Sequence, residues 1–149
     1  MKVSFRLDEK EGFVSTVEGK GAVNIKNSIS DNARNFSPTE FVLLAMGACS
    51  SDDVVNILSK MREDLKTYSV EVEADRNEEP PKLITRANIK YTLTGNLDPA
   101  KVRKAINLSL SKYCSVSILA RKGGAEITYE FSINGKSYGV ESPDPVIPA

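Results

Sequence analysis

The chain has no histidine among its 149 residues. A cysteine–histidine protease dyad is therefore excluded. Cysteine is scarce too: only Cys49 and Cys114 are present. Their spacing fits neither a C-x-x-C redox motif nor a zinc finger, and two are too few for a disulfide-stapled secreted fold. Net charge is also missing, since Lys+Arg and Asp+Glu both number 20. This leaves no electrostatic footprint for nucleic acid or an anionic membrane. No long apolar run reads as a bilayer span, and the N-terminus MKVSFRLDEKEG has no signal-peptide core. The expectation is a cytoplasmic protein with no nucleic-acid or membrane partner. Repeats and low-complexity segments are absent.

What is present fits a globular protein. Hydrophobic residues make up 40% and charged residues 27% of the sequence. This length suits one domain over residues 1–149, with the proline-containing stretch 142–149 as an extended, loosely held tail.

The N-terminal third alternates apolar and polar residues through Val3–Leu7, Phe13–Val17 and Ala22–Lys26, with turns at Asp8–Gly12 and Gly19–Gly21. This pattern predicts a meander of three short antiparallel strands, followed by a polar loop over 27–36. Ser37, Pro38 and Glu40 then form an N-cap, a first-turn proline and a capping-box glutamate. The helix they open is expected to reach Arg62 or Asp64. Its run Phe41–Ala48 is apolar on every face, so it needs cover on two sides.

Two strands follow, with Tyr68, Val70, Val72 and Ala74 on one buried face and Ala87, Ile89, Tyr91 and Leu93 on the other strand's. Asp98-Pro99 opens a second helix through Ala120, with Val102, Ile106, Leu110, Tyr113 and Ser117 as its inner stripe. Gly123-Gly124 ends it. A last strand places Ile127, Tyr129, Phe131 and Ile133 on one face and turns at Asn134-Gly135. The expected order is β-β-β-α-β-β-α-β, an α+β fold with antiparallel sheets.

Both cysteines are predicted to sit within helices. They are either two buried, inert thiols or a pair brought together across the fold. Asp52 and Asp53 lie three and four residues beyond Cys49, on the same helix face, and nearby negative charge raises a thiol pKa. An active Cys49 thus requires a cation from elsewhere. Lys112, Arg121 and Lys122 are near Cys114 in sequence. Glu40 is accounted for by its capping role, and Gly47 by close packing.

The segment Ser37-Pro38-Thr39-Glu40, continuing into Leu-Leu-Ala-Met-Gly-Ala-Cys49-Ser, resembles the first cysteine helix of the OsmC/Ohr family. Leu110-Ser-Lys-Tyr-Cys114-Ser-Val resembles that family's second cysteine helix. The element order is similar as well. This resemblance implies an intertwined homodimer with two central helices in each subunit and the sheets outside. It also implies a thiol-dependent reductase for organic hydroperoxides or hydrogen peroxide. Cys49 would then be the peroxidatic residue and Cys114 the resolving one. No bound cofactor or metal is implied, only a peroxide substrate and an external dithiol reductant.

Two positions depart from the family's active members. Thr39 stands where they carry a glutamate after the proline. The turn that holds their thiolate-pairing arginine offers Lys10 here, with Arg6 and Arg34 as further candidates. A binding protein of the same fold, holding a small hydrophobic or thiol-bearing ligand without turnover, is the alternative.

Overall fold

Ser37 opens the long helix α1, Pro38–Lys60, through the reciprocal bonds read from the sequence. The Ser37 N–H donates to Glu40 Oε2 at 2.7 Å, and the Glu40 N–H donates to Ser37 Oγ at 3.3 Å. The computed structural model describes residues 1–17, 19–29 and 34–148. The predicted loop 27–36 therefore lies partly outside the described residues. Helix α1 ends two to four residues before the expected point. There Arg62 turns to φ 59° and lets Glu63 N–H reach the Leu58 carbonyl while Arg62 N–H reaches that of Ser59. This is a Schellman closure with arginine in the position glycine usually takes.

The chain forms two compact units, Met1–Val42 and Leu43–Ala149. The first carries the predicted meander, β1 Ser4–Asp8, β2 Gly12–Thr16 and β3 Val23–Ile25, paired antiparallel in that order. Phe13 is half-buried in an edge-to-face contact with Phe5, but Phe5, Leu7 and Val23 remain exposed. Three short strands alone cannot cover their apolar face.

The second unit is built on one four-stranded sheet in the order β4 (Asp64–Arg76), β5 (Ile84–Asn96), β6 (Glu126–Ile133), β7 (Lys136–Glu141). This corrects the expected all-antiparallel arrangement: β5 and β6 run parallel, Ala87 opposite Ile127 through Leu93 opposite Ile133. The reason is topological, because a helical crossover returns the chain to the same end of the sheet. The Asn134-Gly135 turn, with φ of 49° and 83°, feeds an additional strand, β7, that alternation alone did not reveal.

The predicted inner faces of β5 and β6 are buried against Met46, Val54 and Leu58 of α1 and Val102, Ala105, Ile106 and Leu110 of the crossover. The predicted face of β4, Tyr68 to Ala74, packs against that core at half burial. By length and composition α1 could cross a bilayer, contrary to the reading that no such run exists. Its residues Met46, Gly47, Ser50, Val54 and Leu58 instead belong to the core. A Cβ on Gly47 would stand 3.0 Å from Val72 Cγ2, so glycine is what lets the helix approach β4.

The second predicted helix is in fact three pieces. Helix α2, Pro99–Leu108, is capped by Asp98, whose Oδ1 accepts from Ala100 N–H at 2.8 Å. A π-helical turn, Ser109–Tyr113, follows and closes with Cys114 N–H on the Ser109 carbonyl at 2.8 Å. Helix α3, Ser115–Lys122, then starts afresh. The extra residue in the π turn shifts the helical phase. Tyr113 is therefore half exposed rather than internal, and Cys114 takes the inner place. The tail is also held, not loose. Pro143 is buried, Arg121 Nη2 donates to the Asp144 carbonyl at 2.8 Å, and Ile147 N–H donates to that of Ser111 at 2.8 Å.

Candidate functional site

Cys49 lies mid-helix on α1 and is half-buried. Cys114 is fully buried but is not mid-helix as expected: it is the N-cap of α3, with extended backbone at φ −67° and ψ 96°. Its sulfur accepts from Ser117 N–H at 3.4 Å, lies 3.1 Å from Ser117 Oγ, and is 3.9 Å from the Met46 carbonyl on α1. The fold thus brings the two cysteines together. The two sulfurs and a carboxylate oxygen of Asp53 all lie within 4.8 Å of one another.

The two aspartates separate. Asp52 is exposed, while Asp53 is half-buried at the site, four residues and about one turn beyond Cys49. Ser109, in the π turn, donates to Asp53 Oδ2 at 2.9 Å. Burial pushes the Asp53 carboxyl above its ordinary range, Ser109 opposes that shift, and Asp52 adds to it.

Below the cluster, Ser50 is fully buried and hydrogen-bonded to the Tyr91 hydroxyl from β5; Ser109 Oγ reaches the Ser50 carbonyl at 3.5 Å. Burial raises the Tyr91 phenol far above its normal range, so it serves here as a neutral hydroxyl. The Cys114 thiol is pushed up to about 11, first by burial and then by the neighbouring Cys49, against the Ser117 bonds that lower it.

Two of the basic residues near Cys114 in sequence are engaged away from the thiols. Arg121 donates to the Leu110 carbonyl at 2.9 Å and to the tail, and Lys112 lies over the Tyr113 ring. Lys10, Arg6 and Arg34 belong to the N-terminal unit. There Arg6 pairs with Asp8 at 3.0 Å, and Lys10 N–H donates to the same carboxylate. Glu40 is engaged in its capping box.

Sequence reasoning missed Ser109, Ser117 and Ser50 as site residues. One signal was available: Ser109 to Ser117 holds four serines, an unusual density for a core helix.

An OsmC-like protein family model matches residues 30–130. The chain belongs to this family. A relative, protein YhfA of Escherichia coli K12, is 42% identical over 98 residues, 65% of this chain and 72% of YhfA. A structure of a hypothetical protein from Aquifex aeolicus VF5 superposes with a TM-score of 0.77 at 27% identity, covering 89% of this chain and 96% of that one. The organic hydroperoxide resistance protein OhrB of Bacillus subtilis shares the OsmC-like fold, with a TM-score of 0.58 at 16% identity over 88% of this chain and 96% of OhrB.

Proposed function

We propose that this OsmC-like protein is a thiol-dependent peroxide reductase, with Cys49 peroxidatic and Cys114 resolving. The observation that carries this reading is the pair of sulfurs within 4.8 Å, one reachable and one buried. In the first step the Cys49 thiolate attacks the terminal peroxide oxygen. The O–O bond breaks, Cys49 becomes a sulfenic acid, and the alkoxide takes a proton to leave as alcohol. The Cys114 sulfur then attacks the sulfenic sulfur, forming the disulfide and expelling water. An external dithiol returns both cysteines to thiols and is itself oxidised. A reducing compartment such as the cytosol suits this cycle.

Burial of Cys114 favours it as the second reactant, since peroxide meets Cys49 first. Dimerisation belongs to the same proposal. Val42, Leu44 and Val55 on α1 are 40% to 49% exposed, and Phe5 and Leu7 more so. A second copy covering these side chains agrees with the family resemblance and with an apolar helix needing cover on two sides.

One equivalent of cumene hydroperoxide added to reduced protein should leave an intramolecular disulfide by intact mass. Cys114→Ser should instead accumulate sulfenic Cys49, which a second equivalent of peroxide carries to the sulfinic acid. Peroxide that leaves both thiols titratable after prolonged exposure would turn the assignment to the alternative, a binder without turnover. Asp53 favours that alternative: an anionic side chain stands by the sulfurs where an active thiolate wants a cation.

A further inference from the structure

The peroxide cycle uses the two sulfurs and gives no role to the carboxylate beside them. Cys49 and Asp53 rise from one face of α1, four residues apart, and Cys114 meets them from the break before α3. Two sulfurs and a carboxylate oxygen within 4.8 Å of one another make a three-donor set. Donors around one zinc ion lie roughly 3.5–3.8 Å apart, given about 2.3 Å to sulfur and about 2.0–2.2 Å to oxygen. Contraction by about 1 Å therefore completes the cluster.

We propose that the reduced protein binds one Zn²⁺ per chain through Cys49 Sγ, Cys114 Sγ and an Asp53 carboxylate oxygen. A fourth position stays open to water or an incoming thiol. Thiolate donors exclude magnesium and calcium, and the hard carboxylate beside them favours Zn²⁺ over Cu(I). Supporting bonds are already in place. Ser109 Oγ holds Asp53 Oδ2 at 2.9 Å, and Ser117 N–H holds the Cys114 sulfur at 3.4 Å. The ion supplies a positive charge to the sulfurs; among the described residues, the hydrogen bonds at Cys114 Sγ are made with Ser117 and the Met46 carbonyl and with no basic side chain. Binding releases the two thiol protons to solvent and changes no oxidation state.

The test uses reduced full-length protein under anaerobic conditions, without peroxide, so its outcome is independent of the reductase reading. Titration with Co²⁺ should produce sulfur-to-cobalt charge-transfer absorption saturating at one equivalent, and Zn²⁺ should abolish it. Cys49→Ser and Cys114→Ser should each lose about half of that absorption and bind at least tenfold more weakly. Asp53→Asn should keep the sulfur bands but weaken binding at least tenfold. Should Cys114→Ser fail to fold by circular dichroism, Cys114→Ala and selective alkylation of Cys49 replace it. Absence of charge-transfer absorption at saturating Co²⁺ overturns the proposal. So does a band that survives loss of both cysteines, or Asp53→Asn binding as wild type.

Discussion

Resolution of the Cys49 sulfenic acid is expected to be slow at neutral pH and strongly accelerated by alkali. The attacking species must be the Cys114 thiolate. With the thiol pushed up to about 11, roughly one molecule in 10⁴ carries that thiolate at pH 7. An ordinary cysteine has about one in 30 to 100. Below its pKa, each unit of pH raises the thiolate fraction about tenfold, so disulfide formation should climb about tenfold per unit between pH 7 and pH 10. The assay exposes metal-free reduced protein to one equivalent of peroxide in chelator, quenches in acid, alkylates and counts sulfenic acid against disulfide by mass.

Ser117 provides the internal control. Its hydroxyl and N–H both lower the Cys114 pKa, and its hydroxyl lies 3.1 Å from the sulfur. Ser117→Ala removes only the hydroxyl, so the neutral-pH resolution rate should drop severalfold while the slope with pH stays near one. A rate flat from pH 7 to 10, or levelling near pH 8, would refute the reasoning that burial governs Cys114. It would mean that forming the sulfenic acid already opens the site to water.

Gly47→Val places carbon atoms against Val72 and should cost about 1–3 kcal/mol, read as a lower urea midpoint at unchanged m-value. Arg62→Gly removes a side chain from the left-handed region at φ 59° and should raise stability by about 0.5–1 kcal/mol; an unchanged or lowered melting temperature would count against the Schellman assignment. Sedimentation at micromolar concentration should give a dimer, and Leu44→Glu, at a 49% exposed position, should weaken it at least tenfold. A wild-type monomer under those conditions removes the second copy from the proposal.

Much of the scaffold was legible because period and capping carry direct physical meaning. The alternations in β5 and β6 identified faces that are buried, and Ser37, Glu40 and Asp98 behave as caps. The parallel pairing of β5 with β6 was not legible: two alternating strands read the same in either direction, and only the crossover between them sets the sense. β7 escaped because Lys136–Glu141 is short and offers only Tyr138 and Val140 as apolar positions, of which Tyr138 alone packs against the core. The tail looked free because its three prolines signal irregular backbone. Irregular backbone can still be anchored, here by Asn107, Ser111 and Arg121.

The break at Cys114 was concealed by a coincidence of phase. Val102, Ile106, Leu110, Tyr113 and Ser117 fit an unbroken helix, yet the inner stripe passes through Cys114 instead of its neighbour. Nothing in Ser109–Tyr113 is a glycine or proline that would announce a π turn. The same turn decides the site's chemistry. It swings Cys114 onto the end of α3, where Ser117 bonds its sulfur, and it brings Ser109 over α1 to hold Asp53 rather than Asp52. Sequence spacing put both aspartates within reach of Cys49. The π turn selects one of them, and with it the donor set of the site.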